Sequence, residues 1–283
     1  MAPFPGKIFR ALLAATRRFS DGNGFVLCSH VAMSMMLALF PFILFIVALA
    51  GAMSRDVDAD ALIVVIFGGW PEDIAAPIIK EIRAVLDASG LRLMTFGGVL
   101  ALWFASNGIE AVRIAISQAY HDRDPRPFWK TRMLSILFVL LGGSAVLLVM
   151  TVSFGLPAYF HFVAEAMPEP LAAWLENTAL HAVITLAALV FAVGACHIWL
   201  PGVRHGINEI WPGVILTVVL WIAAVRGFTL YIAHFADYSA TYAGLAGAMA
   251  ALIFLYLLAA ILILGAEFNG ALVRMRREQQ RLV

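Results

Sequence analysis

Charge is what this chain has least of. Only 13% of its 283 residues are Asp, Glu, Lys or Arg, against about a quarter in soluble domains. So thin a polar complement cannot coat a soluble globule of this size. Cysteine is scarce as well. Cys28 and Cys196 show no CxxC and no partner spacing, which argues against a disulfide scaffold or a zinc site. The seven histidines are scattered without HxH, HxxxH or HExxH, so no metal is expected. There is no P-loop and no cofactor motif, so no cofactor is expected and ATP is not a direct energy source. The first 24 residues hold Lys7, Arg10, Arg17 and Arg18 but no apolar run. The apolar block that follows exceeds the ~7–15 residues of a signal-peptide core. No cleavable leader is expected, and that block reads as a first membrane span.

What the chain has in abundance is apolar sequence in long blocks, 63% of residues being hydrophobic. The blocks fall at 25–53, 94–116, 133–157, 179–200, 210–233 and 243–272. Each can cross a hydrocarbon core that needs about 20 residues. The expected fold class is therefore all-α, a polytopic membrane helix bundle of six transmembrane helices plus an amphipathic external helix. A further apolar run, Ala61 to Trp70, is too short to span. Within the external segment 60–90, Ile74, Ile78, Ile82 and Val85 recur at helical spacing, which suits a helix capping the bundle. Residues 1–24 read as a cytoplasmic N-terminal segment, 25–272 as the transmembrane domain and 273–283 as a basic cytoplasmic tail.

Orientation follows from where the basic residues sit. Even-numbered loops and the two termini hold 13 Lys and Arg, and odd-numbered loops hold four. The positive-inside rule then places both termini in the cytoplasm. An even number of spans independently requires that the termini share a side.

Ionisable groups inside spans cost several kcal/mol on insertion scales and mark candidate sites. Four stand out: Glu110, Arg113, Arg226 and Glu267. Glu110 and Arg113 are three apart near the inner end of span two, so their side chains meet on one face, and Asn107 and Ser117 extend the stripe. Glu267 and Asn269 lie near the inner end of span six. Tyr256 precedes Glu267 by about three turns and shares its face. His30 and His197 fall in the same layer and read chiefly as packing histidines. Glu110, Arg113 and Glu267 are expected to approach one pocket open to the cytoplasm. Arg226 belongs to the outer half of span five, with His234 and Asp237. The candidate polar site is therefore Asn107, Glu110, Arg113, Arg226, Tyr256, Glu267 and Asn269. Three readings of the Glu110–Arg113 pair stay open: a self-neutralising pair that pins packing, a ligand or transport role, and snorkelling from an interface. Glu267 has no basic neighbour within one turn. Pro41 should kink span one.

Three stretches resemble the YihY/BrkB family of bacterial inner-membrane proteins: residues 30–51, residues 102–132, and residues 241–272 with a Tyr-x-Gly opening and a Gly-Ala-Glu-x-Asn close. The resemblance covers about residues 20–275. One departure is Ala32-Met33-Ser34-Met35, where the family often carries a Tyr-Tyr pair, so no role of those tyrosines transfers. The resemblance implies a six-span inner-membrane protein without a settled activity. Family members were once labelled ribonuclease BN, and others are linked to serum resistance and to envelope lipid or lipopolysaccharide export. A ribonuclease needs metal ligands or an acid–base pair on an exposed basic surface, and the cytoplasmic loops here are too short to build one. The expected activity is non-enzymatic. The first reading is a transporter or flippase-like protein for an envelope lipid or other anionic amphiphile, with Glu110 or Glu267 as candidates for ion coupling. The second is a non-transporting scaffold or envelope assembly factor. Membrane lipids are the expected partners, and nucleic acid is not.

Overall fold

The computed structural model describes residues 5–53, 79–80, 83, 91–120, 124–150, 178–203, 205–235 and 245–281. Among these the chain forms seven helices and no strand. They are α1 (Pro5–Asp21), α2 (Gly24–Met53), α3 (Leu91–Ala119), α4 (Phe128–Met150), α5 (Thr178–Trp199), α6 (Ile207–Phe235) and α7 (Leu245–Arg281). Helices α2 to α7 coincide with the six apolar blocks. Among the described residues, three segments are long and apolar enough to cross a membrane: Gly98–Ala119, Ile207–Tyr231 and Met249–Gln280. A fourth is added if Gly6–Asp21 and Gly24–Leu39 count as one bent span. Most large exposed side chains of α4 and α6 are apolar, among them Leu137, Leu141, Ile215, Val219 and Ile222, as a lipid-facing surface requires; Lys130 and Arg226 are the charged ones. The external helix expected over 60–90 lies almost wholly outside the described residues.

Local sequence explains the helix ends. Pro5 opens α1 where a missing N–H is harmless. The chain then turns through Gly22 and Asn23, whose φ of 61° is left-handed and suits Asn at a helix C-terminus. A Cβ at Gly24 would lie 2.4 Å from the Phe19 carbonyl oxygen, so only glycine fits there. α1 and α2 consequently meet at 73°. α2 is helical through Pro41 to Met53, and a sharp bend separates it from α1 at 22–23. α5 stops before Pro201. At the start of α6, Glu209 reaches back to accept from the Gly206 backbone N–H at 3.2 Å, which is half of a capping box.

The chain divides into two compact units. One comprises Met1–Ala38, Ser106–Ser135 and Val190–Val283, and the other Leu39–Ala105 and Ile136–Leu189. The second contains buried Phe45, Ala101, Ala105 and Val139. All seven candidate site residues belong to the first unit.

The tightest contact of that first unit is α6 against α7. A Cβ on Gly213 would lie 2.2 Å from the Gly265 carbonyl oxygen, and one on Gly265 would lie 2.1 Å from Thr217 Oγ1. Glycine at both positions lets the backbones touch, as small residues four apart do in membranes. Trp221 Nε1 adds a donor to the Leu258 carbonyl at 3.0 Å. On another side of α7, Phe268 and Ala271 pack on Ala11 and Ala15 of α1. The N-terminal segment is thus a docked helix, and α7 carries its helical form into the expected tail as far as Arg281.

Gly265→Ala should force α6 and α7 apart and cost about 1–3 kcal/mol, read as a lower Tm in detergent. Gly142→Ala on α4, where a Cβ meets nothing within 4 Å among the described residues, should be neutral or slightly stabilising. Equal Tm values for the two variants would contradict the crossing.

Candidate functional site

The sequence pairs Glu110 with Arg113 on α3, and the structure builds a larger network around them. Arg113 donates from Nε to Glu110 Oε2 at 3.1 Å and from Nη2 to Oε1 at 2.6 Å. Its Nη1 donates to Asp124, in the loop after α3. Asp124 in turn takes the Arg126 backbone N–H at 3.0 Å and the Arg126 guanidinium at 2.8 and 2.7 Å. Arg126 also donates to the carbonyls of Trp199 and Leu200, where the C-terminal end of α5 presents unpaired acceptors and the negative end of its dipole. Ser135 of α4 donates to Glu110 Oε2 at 2.9 Å. Arg132, only 3% exposed, donates to Asn107 Oδ1 at 2.8 Å. This clasp ties together the C-terminal end of α3, its following loop, the start of α4 and the end of α5. Asp124 lies outside the spans. The hydrogen bonds from Arg126, helped by the nearby Arg113 charge, hold its carboxyl below the usual range despite opposing burial.

A second polar cluster centres on Asn269 of α7, which is fully buried. Its Oδ1 accepts the Gly213 N–H at 2.6 Å. Its Nδ2 donates to the Ile210 carbonyl at 2.8 Å and to Tyr120 Oη at 3.1 Å. Pro212 weakens the backbone ladder of α6 at this point, and Asn269 binds to the polar groups beside it. Tyr120 Oη lies 2.8 Å from His197 Nδ1. The other ring nitrogen of His197, Nε2, has no hydrogen-bond partner among the described residues. The Tyr120 ring stacks on His205 at 4.2 Å.

The remaining candidates are placed differently. Glu267 is 4% exposed and meets Arg274 at 3.8 Å, two turns further along α7. Arg18 of α1 is close enough to act on it electrostatically. Glu110 and Glu267 therefore have separate partners. Glu110 and Arg113 belong to the clasp on α3, and Glu267 is a carboxylate beside α1. Tyr256 is half-buried, in the neighbourhood of Cys28. Arg226 is exposed, with no hydrogen bond or ion pair among the described residues. It stands 13 residues along α6 from Gly213, roughly 20 Å at helical rise. His30 is exposed. Asp237 and His234 carry no described side chain.

The profile of the family described as Virulence factor BrkB matches residues 15–282. The chain belongs to the BrkB family. It is 25% identical over 267 residues to the putative ribonuclease-like protein YfkH of Bacillus subtilis, spanning 92% of this chain and 94% of that protein. It is 42% identical over 60 residues to a UPF0761 membrane protein of Tolumonas auensis, 21% of this chain and 20% of that one. No solved structure matches.

In this BrkB-family chain the Gly-Ala-Glu-x-Asn stretch has two faces. Gly265 and Asn269 dock on α6, and Glu267 turns to Arg274 and α1. Counting residues missed Asp124, Arg126 and Ser135, which complete the clasp, and Tyr120 and His205. The signal for the first was an acid among bases in the short Asp122-Arg123-Asp124-Pro125-Arg126 loop. For Tyr120 there was none beyond its place at a helix end.

Arg113 bridges two carboxylates, so Arg113→Gln should cost about 3 kcal/mol of stability, more than Glu110→Gln, which leaves Asp124 on the guanidinium. The reverse order of Tm would contradict the network. For Asp124 the depressed folded-state pKa means that its contribution is complete above its unfolded value of about 4 and is lost as pH falls through the folded value. The stability gap between wild type and Asp124→Asn should be constant from pH 5 to 7 and close below about pH 4. A gap that persists unchanged in acid would contradict this.

Proposed function

We propose that this protein is a six-span inner-membrane protein of the transporter or flippase-like kind, with both termini in the cytoplasm, handling an envelope lipid or other anionic amphiphile. The observation that carries the reading is a buried carboxylate, Glu267, on a helix apolar enough to cross a membrane. Two residues on, the buried amide of Asn269 donates to Tyr120 Oη, which in turn lies beside His197 Nδ1. Polar groups at this depth are costly and are kept where they line or gate a path. The six apolar blocks, each with a helix, support six crossings, and the basic residues support the orientation. The ribonuclease-like name belongs to the Bacillus relative and describes no residue constellation found in this chain.

One observation favours the scaffold or assembly-factor reading. The clasp satisfies its own charges: Glu110, Arg113, Asp124 and Arg126 all find protein partners. We assign the clasp to architecture and the Glu267 region to function.

Two experiments test this. In proteoliposomes carrying a fluorescent headgroup-labelled phospholipid, wild type should make the inner-leaflet probe accessible to an impermeant quencher. Glu267→Gln should slow this at least about tenfold in folded, reconstituted protein, although unpairing Arg274 lowers its Tm. Wild-type rates in Glu267→Gln, or no movement with wild type, would favour the scaffold. For topology, cysteines at Glu169 and Asp237 should react with an impermeant thiol reagent in cells with a permeabilised outer membrane, and one at Lys130 should not. Reaction at Lys130 alone would invert the orientation.

A further inference from the structure

We propose that α1 and the basic end of α7 form a docking surface for anionic phospholipid headgroups, in the leaflet adjoining the chain's termini. The lipid here is bound at a fixed surface and not moved, so the inference goes beyond transport and holds with or without it.

α1 has three kinds of face. Ala11 and Ala15 are buried against Phe268 and Ala271 of α7. Phe9 and Leu13, four residues apart and so in line, are 69% and 61% exposed. Lys7, Arg10 and Arg17 are exposed and, at helical spacing, lie together to one side of that apolar line. Phe25 and Val26, just past the bend, are exposed too. The 73° angle to α2 lays α1 near the membrane plane if α2 crosses the bilayer. An interfacial helix in that position sinks its apolar line into the acyl boundary and holds its basic side chains at headgroup level.

Among the described residues this charge is only partly answered, by Asp21 on α1 and by Glu267 and exposed Glu278 on α7. Against the four basic residues of α1 stands Asp21, whose 3.8 Å pair with Arg17 is solvent-exposed on both sides and therefore weak. Lys7 Nζ donates to Gln279 Oε1 at 3.3 Å, which brings exposed Arg276 and Arg277 of α7 alongside. Arg18 Nη1 and Arg274 Nη2 are buried without a hydrogen-bond acceptor among the described residues. The Glu267 carboxylate near them supplies one negative charge for two guanidiniums. An acidic protein or a nucleic acid would match the charge but leave Phe9 and Leu13 in water. A phospholipid offers phosphate and acyl chain side by side, which is the chemistry of this face.

The test uses the full chain in nanodiscs, in a Cys28→Ala, Cys196→Ala background. A nitroxide at Leu13→Cys should be accessible to oxygen and protected from an aqueous nickel chelate, and one at Arg10→Cys the reverse. Adding phosphatidylglycerol to phosphatidylcholine discs should raise Tm. Lys7→Gln, Arg10→Gln, Arg17→Gln together should abolish that rise and weaken phosphatidylglycerol retention at least roughly tenfold. Arg10→Lys, Arg17→Lys, which keeps the charge, should preserve both. A nickel-accessible label at Leu13 would overturn the proposal. So would dipolar broadening there, which would mean that a second copy covers the face. A phosphatidylglycerol effect unchanged in the glutamine variant, or lost in the lysine variant, would do the same.

Discussion

The side-chain amide of Asn269 uses its acceptor and both its donor hydrogens inside the protein, and three helices take their positions from it. Its acceptor holds the Gly213 N–H, and its donors hold the Ile210 carbonyl and the Tyr120 hydroxyl. Such contacts are possible only because Gly213 and Gly265 carry no Cβ at the crossing. In a bilayer, apolar surfaces gain little by leaving lipid for one another, so close backbone approach and interhelical hydrogen bonds must specify the pairing. Here both act at one point. Through Tyr120 the constraint reaches His197 of α5, and through Phe268 and Ala271 the opposite side of α7 receives α1.

The charged clasp has a different physical character. Its members sit at a helix end, a loop and a second helix end, with side chains between 11% and 24% exposed. Ion pairs at such a boundary keep access to polarisable surroundings and avoid the full desolvation cost of a deep pair. Arg126 links the network to the carbonyls that end α5, so the loop is held at three points. A fixed clasp beside a small-residue crossing gives this unit a rigid frame, and Glu267 lies at the seam between that frame and the peripheral α1.

Much of this architecture was legible in the sequence, because span formation depends on local apolar runs. Each of the six blocks contains a helix. The Glu110–Arg113 pair was legible for the same reason, since three-residue spacing fixes a contact within one helix. Residue counting gives depth, and depth does not say which way a side chain faces. Glu110 and Glu267 are at similar counted depths yet have different partners, because 267 points away from the face set by Gly265 and Asn269. α1 escaped notice because its apolar positions, Ile8, Ala11, Leu12, Ala15 and Phe19, are spaced at helical intervals and not run together. The clasp escaped because its key acid is in a loop, where no period applies.

The central claim is that the buried amide couples α3, α6 and α7. A double-mutant cycle with Tyr120→Phe and Asn269→Ala, read by unfolding of the detergent-solubilised protein, tests it most directly. The account predicts a coupling energy of about 1 kcal/mol between the two sites, near the upper part of the range seen for interhelical hydrogen bonds in membranes. Strict additivity, within about 0.3 kcal/mol, would contradict it.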